Sequence, residues 1–357
     1  MRIAQVAPLY ESVPPRLYGG TERVVAHLTH ELVQLGHDVT LFASGDSVTD
    51  AKLVSICNRA LWLDEHGADD TALHILLLER LMQEAADFDV IHFHLNYLQF
   101  LIARRLATPH VSTLHGRLDL PDMRPLYDGF RDVPLCSISR SQRSALPNAT
   151  WYGTVHHGLP LDLYEPRLRG GDYFAFLGRL SRDKRVDRAI EIAKRLQVPL
   201  KIAAKIDREE ERYFREEIVP LLDDPLVDYV GEIDESQKGA FLGGARALLF
   251  PIDWPEPFGL VVIEALACAT PVVAFGCGAI PELIDDGVTG YVVHDMEQAV
   301  AAAARVDLLD RRACRAAFER RFSSARMAQG YLAVYAEAIE RAQQRGRRGR
   351  RAPEAAA

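Results

Sequence analysis

The chain has few cysteines, and those it has are badly placed for cross-linking. Cys57, Cys136, Cys268, Cys277 and Cys314 are scattered, odd in number, and form no C-x-x-C pair. A disulfide framework or a structural zinc site is therefore not expected, and a reducing compartment is. There is no run of about 18 apolar residues, so no membrane-crossing helix is expected. The first residues, Met-Arg-Ile-Ala-Gln-Val-Ala-Pro, enter a strand-like run at once and leave no room for a secretory leader. A cytoplasmic protein is the expectation.

What is present is ordinary globular material in quantity. The 357 residues are 48% hydrophobic and 26% charged, enough for two domains of usual size. The net charge of -8 is uneven. From Arg341 onward six arginines face one acid, so this end carries about +5 and the rest about -13. An acidic body does not suit nucleic acid as a partner. The end itself, residues 344–357, is Gly-interrupted and poor in core residues, and is expected to be disordered. It reads as a solubilising appendage, with peripheral contact to an anionic membrane surface as the alternative.

Strand-like and helix-like segments alternate. In the first half Arg2 to Pro8 reads as strand. Thr21 to Leu35 reads as a helix capped by Thr21 and ended by Gly36, then Asp38 to Ala43 as strand. Leu73 to Ala86 is helical, and Val90 to Phe93, Val111 to Leu114 and Leu135 to Ile138 are strands. The pattern restarts after Pro166. Strands are expected at 173–177, 200–204, 227–230, 247–251 and 271–274, and helices at 186–196, 260–267, 296–306 and 324–343. The Pro- and Gly-containing stretch Gly158 to Gly171 is the natural linker. The expected fold is α/β, two doubly wound Rossmann-like domains (1–165 and 166–323) facing across a cleft, followed by a helix over 324–343.

Four segments could carry chemistry. In Phe250-Pro-Ile-Asp-Trp-Pro-Glu-Pro-Phe-Gly-Leu-Val-Val-Ile-Glu264 a strand meets a helix through a turn. The backbone N–H groups from Phe258, Gly259 and Leu260 onward suit a phosphate. Glu256 precedes that anion site and Glu264 lies about two turns into the helix. Carboxylates take paired sugar hydroxyls bidentately, so Glu256 is read on a donor sugar and Glu264 on a ribose. The alternatives are a helix-start acid and a salt-bridge partner. After the strand ending at Leu177, Arg179 and Lys184 could grip a diphosphate; a solvated basic loop is the plainer reading.

The third segment, Tyr18-Gly19-Gly20-Thr21-Glu22, opens a helix with adjacent glycines, which allow unusual φ and close backbone approach. It is not G-x-G-x-x-G, and Ala43-Ser-Gly stands where a nicotinamide site needs an acid. The fourth is histidine-rich. His92 and His94 flank Phe93 and point to one face, and His115 ends another strand. No third ligand is evident, so no metal is expected. His115 is placed beside a transferred sugar, and His94, with Arg117, near an acceptor or in a structural role.

Taken together and in this order, these segments resemble the retaining glycosyltransferases of family 4, of GT-B architecture. The resemblance covers residues 1 to about 340. Glu256 and Glu264, separated by seven residues, resemble the family's E-x7-E signature, supported by Gly178-Arg179, Lys184 and Gly276-x-Gly278-Ala-Ile-Pro-Glu282. Many members have a second glycine where Ala279 stands here. The resemblance implies sugar contacts for Glu256 and His115, ribose contact for Glu264, and diphosphate neutralisation by Arg179 and Lys184. It implies donor phosphates near Gly19 and Gly20, main-chain contacts from Phe258, Gly259 and Leu260, and a base beside Glu232 and Ile233. It also implies that the last helix crosses back to the N-terminal domain. The implied reaction moves a hexose from a nucleotide-diphosphate sugar, UDP-glucose first and GDP-mannose second, to a small hydroxylated acceptor. It keeps the anomeric configuration and uses neither metal nor cofactor. The rival readings are a nicotinamide-dependent epimerase or dehydrogenase, a non-catalytic nucleotide-sugar binder, and a pyridoxal-phosphate phosphorylase.

Overall fold

The computed structural model describes residues 1–16, 19–63 and 69–351, with side chains through residue 345. The chain divides into two compact units. Residues 1–156 with 324–357 form the first, and 157–323 form the second.

The first unit is built on seven parallel strands: β1 (Arg2–Val6), β2 (Asp38–Phe42), β3 (Lys52–Val54), β4 (Val90–Phe93), β5 (His110–Thr113), β6 (Pro134–Ser137) and β7 (Thr150–Thr154). Their order is β3-β2-β1-β4-β5-β6-β7. The order reverses between β1 and β4, and that switch point is where open α/β sheets bind ligands. Both faces are covered. Val6, Phe42 and Phe93 pack with Leu77 and Leu81 of the Asp70–Glu84 helix, and Leu41 and Ala43 pack with Val25 of the Gly20–Gln34 helix.

The Gly20–Gln34 helix begins one residue earlier than the sequence suggests. Its N-cap is Gly19, not Thr21. Gly36, beyond its end, has φ +81°, the left-handed conformation that stops a helix with least strain. The C-terminal helix, Ser324–Arg351, belongs to the first unit and buries Met327, Tyr331 and Tyr335 there. It runs past residue 343, so part of the segment expected to be disordered is helical; residues 352–357 lie outside the described residues.

The second unit repeats the plan with six parallel strands: β8 (Phe174–Arg179), β9 (Leu200–Lys205), β10 (Val227–Gly231), β11 (Ala247–Phe250), β12 (Val272–Phe275) and β13 (Gly290–Val293). Their order, β10-β9-β8-β11-β12-β13, reverses between β8 and β11. Phe174, Phe176, Leu200, Ile202 and Leu249 form its core with Ile190 and Ala193 of the Val186–Leu196 helix. Among the described residues no helix is long and apolar enough to cross a membrane.

Candidate active site

The most constrained part of the second unit lies beyond the switch point, in the loops after β8 and β11. Lys184 ends a short 3-10 turn, Arg182–Lys184, and Arg185 follows in the left-handed region at φ +53°. The backbone N–H of Asp253 donates to the carbonyl of Asp183 at 2.9 Å. Arg185 and Arg188 both reach the Asp253 carboxylate, at 2.8 and 3.1 Å. The two loops are thus stapled together by main chain and by charge.

Lys184 Nζ pairs with Glu256 Oε2, and the side chains are only 13% and 11% exposed. The ammonium also lies 4.8 Å from the ring centre of Trp254 and 5.3 Å from that of Phe250. Aromatic faces on two sides and a carboxylate on a third hold a compact cation in place. The Glu256 backbone is fixed as tightly. Its N–H donates to Trp254 O at 2.8 Å and its carbonyl accepts from Ala279 N–H at 2.9 Å. A side chain at Gly278 would put Cβ 2.3 Å from both the N and the O of Glu256. Ala279, the departure from the double glycine, is fully buried and uses its N–H on Glu256.

Gly259 is in the left-handed region at φ +99° and caps the Leu260–Ala267 helix. Val262 N–H donates to the Gly259 carbonyl at 3.0 Å; the N–H groups ahead of it have no intrahelical acceptor, and the helix dipole adds positive potential there. Phe258 is buried against the His157 ring, with centroids 4.7 Å apart, which anchors the turn. One helix turn further, Glu264 is 2% exposed and pairs through Oε1 with Lys238 Nζ at 3.0 Å. Burial, followed by the nearby charge of Glu264, pushes the Cys268 thiol up to about 12.

Arg179 ends β8, with its side chain 37% exposed and 3.2 Å from Asp207. Glu232 is exposed and Ile233 half-buried after β10, the edge strand two places from β8. The second unit therefore gathers Lys184 and Glu256, holds Glu264 on Lys238, and leaves Glu232 and Ile233 at the sheet edge. Lys238 escaped the sequence reading. Its only signal was indirect: a buried Glu264 needs a cation.

In the first unit the polar groups also collect at the switch point. His92 and His94 of β4 and its end do share one face, with ring centroids 4.0 Å apart. His94 is 1% exposed, with Nε2 2.9 Å from Gln5 Oε1 and Nδ1 2.8 Å from His115 Nε2. It is an interior residue with hydrogen-bond partners at both ring nitrogens. His92 bonds Tyr335 and Thr113. Burial pushes the His115 pKa down to about 3 and holds His92 well below its usual value, so both rings are neutral. Arg117 is paired with Asp119 at 2.9 Å. Among the described residues no cluster of three or more His, Cys, Asp or Glu could hold a metal ion.

Gly19 answers to one of the two expected reasons, close approach, and not to unusual φ. Gly19 has φ 175°, ordinary extended backbone. What demands glycine is space, since a Cβ would lie 2.6 Å from Pro15 Cβ. Tyr18 lies outside the described residues. Glu22, just inside the helix, is 6% exposed, and its carboxyl is pushed up to about 7 by burial and then by Glu11. Gln5 and Tyr335 were not singled out in the sequence, because nothing local marks them, and Glu22 was named in its segment without a role of its own.

Residues 18–156 match the family described as Glycosyltransferase Family 4, and residues 166–321 match Glycosyl transferases group 1. The chain is 28% identical to an alpha-maltose-1-phosphate synthase of Mycobacterium tuberculosis, covering 85% of this chain and 88% of that protein. It is 25% identical to a D-inositol 3-phosphate glycosyltransferase of Mycolicibacterium smegmatis, covering 90% and 87%. Among solved structures, Anabaena HepE in complex with UDP-glucose shares the fold with a TM-score of 0.71 at 17% identity, covering 96% of this chain and all of that one. AviGT4, a glycosyltransferase involved in avilamycin A biosynthesis, gives a TM-score of 0.70 at 22% identity, covering 95% and 98%. Two parallel-sheet α/β units and two family matches spanning both lead to one assignment: the chain belongs to the family 4 type of glycosyltransferases, enzymes of GT-B architecture.

Proposed function

We propose that this glycosyltransferase moves a hexose from a nucleotide-diphosphate sugar to a small hydroxylated acceptor with retention of configuration and without a metal ion. UDP-glucose is the first donor to test and GDP-mannose the second. The observation that carries the proposal is the Lys184–Glu256 pair beside the start of the Leu260–Ala267 helix. A cation, a carboxylate and unpaired helix N–H groups are the three things a sugar diphosphate needs. An ammonium has three hydrogens, so Lys184 can keep Glu256 and still donate to a phosphate oxygen.

In this reading Arg179, Lys184 and the helix start neutralise the diphosphate, doing electrostatically what a metal would do. Glu256 takes sugar hydroxyls, Glu264 the ribose, and Glu232 and Ile233 the base. Gly19 and Gly20 approach the donor phosphates, and His115 meets a sugar hydroxyl. The bond from the anomeric carbon to the phosphate oxygen breaks. The acceptor oxygen bonds to the same face of that carbon, and its proton passes to the departing phosphate. The reading puts the enzyme in the cytoplasm, with its arginine-rich end available to an anionic membrane surface.

The test is a thermal-shift panel with UDP, GDP, ADP, their hexose conjugates and NAD, followed by donor turnover with chelator present. A ligand at about 100 times its dissociation constant should stabilise by about 2.7 kcal/mol. A shift with one nucleoside diphosphate that disappears in Glu264→Ala, and chelator-resistant turnover lost in Glu256→Gln, support the reading. A shift with NAD alone, or full activity in Glu256→Gln, overturns it.

A further inference from the structure

The buried polar side chains at the first unit's switch point form one connected set, and their hydrogen bonds must all run in a consistent direction. Gln5 sits at the centre. Its amide nitrogen lies 2.8 Å from Tyr335 Oη, and its amide oxygen lies 2.9 Å from His94 Nε2. An amide nitrogen only donates and an amide oxygen only accepts. Tyr335 receives a hydrogen from Gln5 and, because Thr113 spends its own hydrogen on Tyr331 and so must accept from His92 Nε2, passes its hydrogen to His92 Nδ1, 2.8 Å away. Neutral His92 then carries its proton on Nε2 and donates it to Thr113 Oγ1 at 2.7 Å. Thr113 donates onward to Tyr331 Oη at 3.2 Å.

The second arm starts at the other end of the same amide. His94 donates from Nε2 to Gln5, so its Nδ1 is an acceptor and takes the hydrogen of His115 Nε2 at 2.8 Å. His115 then carries its hydrogen on Nε2, which leaves Nδ1 as an acceptor and not a donor. Turning the Gln5 amide over would reverse every hydrogen in both arms and move the His115 proton to Nδ1. The two arms have Gln5 as their one shared member. Tyr331 and Tyr335, which fill the first arm, are supplied by the C-terminal helix.

We propose that Gln5, held by Tyr335, is a positioning residue that fixes the proton of His115 on Nε2 and makes Nδ1 a hydrogen-bond acceptor for a sugar hydroxyl. The functional half rests on the reading that His115 meets the transferred sugar. The tautomer matters chemically. A hydroxyl on a sugar ring that is losing electron density becomes a stronger donor. An acceptor facing it therefore binds the transition state better than the ground state. A donor facing it would do the opposite.

The experiment uses the full ligand-free chain labelled with nitrogen-15 in histidine, and reads the ring nitrogens of His115 by NMR in wild type, Tyr335→Phe and Gln5→Met. The expected wild-type result is a single tautomer protonated at Nε2. Tyr335→Phe removes one oxygen that His115 does not touch, yet should shift the His115 ring nitrogens toward a mixed population. It should also lower kcat on the donor about threefold to tenfold, with KM little changed. A purely structural role would lower the melting temperature and leave the His115 ring unmoved. Protonation at Nδ1 in wild type, or unchanged His115 nitrogens in both folded variants, overturns the proposal. If Gln5→Met does not fold, Tyr335→Phe alone decides. Full turnover in His115→Ala would remove the sugar-site reading while leaving the tautomer result to stand or fall by itself.

Discussion

Lys238 reaches Glu264 across 26 residues of sequence, Nζ to Oε1 3.0 Å, with the two side chains 10% and 3% exposed. The lysine comes from the Glu235–Gly243 helix, started by a capping box of Asp234 and Gln237. The glutamate comes from the helix after β11. Two secondary-structure elements are thus tied by one buried charge pair.

Removing one partner leaves the other charge stranded in a low-dielectric site. Lys238→Met should cost about 3–5 kcal/mol of unfolding free energy, whereas Lys238→Met with Glu264→Gln should recover much of it. Denaturant unfolding of the two single variants and the double variant measures the coupling. Strictly additive losses would show that the pair holds nothing together.

Gly278 faces the Glu256 backbone at a distance no side chain fits, and its φ is +62°. Gly278→Ala should destabilise by about 1–3 kcal/mol through strain and displacement of the loop. It should lower kcat/KM by more than that stability loss explains. Gly116→Ala, with nothing within 4 Å of the added methyl, is the matched control.

Glu22 should make the protein less stable as pH rises. Its folded pKa of about 7 lies above the usual 4.5, because burial and Glu11 penalise the anion. The protonated form is the one the fold favours, so its contribution is complete below about pH 4.5 and is lost as pH climbs through about 7. The difference is on the order of 3 kcal/mol. Glu22→Gln should flatten the pH dependence of the melting temperature across that window. An unchanged slope would show that Glu22 does not titrate there.

Arg179 is a different kind of residue, exposed by 37% and paired with Asp207 at 3.2 Å. A surface pair of this kind contributes about 0–1 kcal/mol. Arg179→Ala should therefore unfold almost as wild type does, yet lose about 10²–10³ in kcat if the guanidinium stabilises the leaving diphosphate. Donor turnover and melting temperature measured on the same preparation separate the two effects.

Much of the fold was readable because its signals are local. The strand Val90–Phe93 and the helices Val186–Leu196 and Leu260–Ala267 have the bounds their apolar patterns suggest. Three strands gave no such signal. β3 has three residues, β7 (Thr-Trp-Tyr-Gly-Thr) is only half-buried and holds a glycine, and β13 is a four-residue Gly-Tyr-Val-Val. The Arg311–Arg321 helix hid behind its arginines; Arg311 is in fact buried and donates to the carbonyls of Gly243 and Ala245. At the site, Lys184 and Glu256 were legible because turns after central strands point toward a switch point. Gln5 and Tyr335 stand 330 residues apart, and no periodicity links them.

The C-terminal helix has a temporal consequence. A ribosome delivers β1, β4 and β5 early, but the hydroxyl that His92 needs arrives 243 residues after it. At about 5–20 residues per second that is a wait of roughly 10–50 s. Before that interval ends the second unit has all its strands and can close on its own core, while the first still holds unpaired polar groups at its centre. The half of the protein that is made first is thus the half that matures last, and a nascent chain stopped between Ser323 and Tyr331 carries a finished second unit and an unfinished first one.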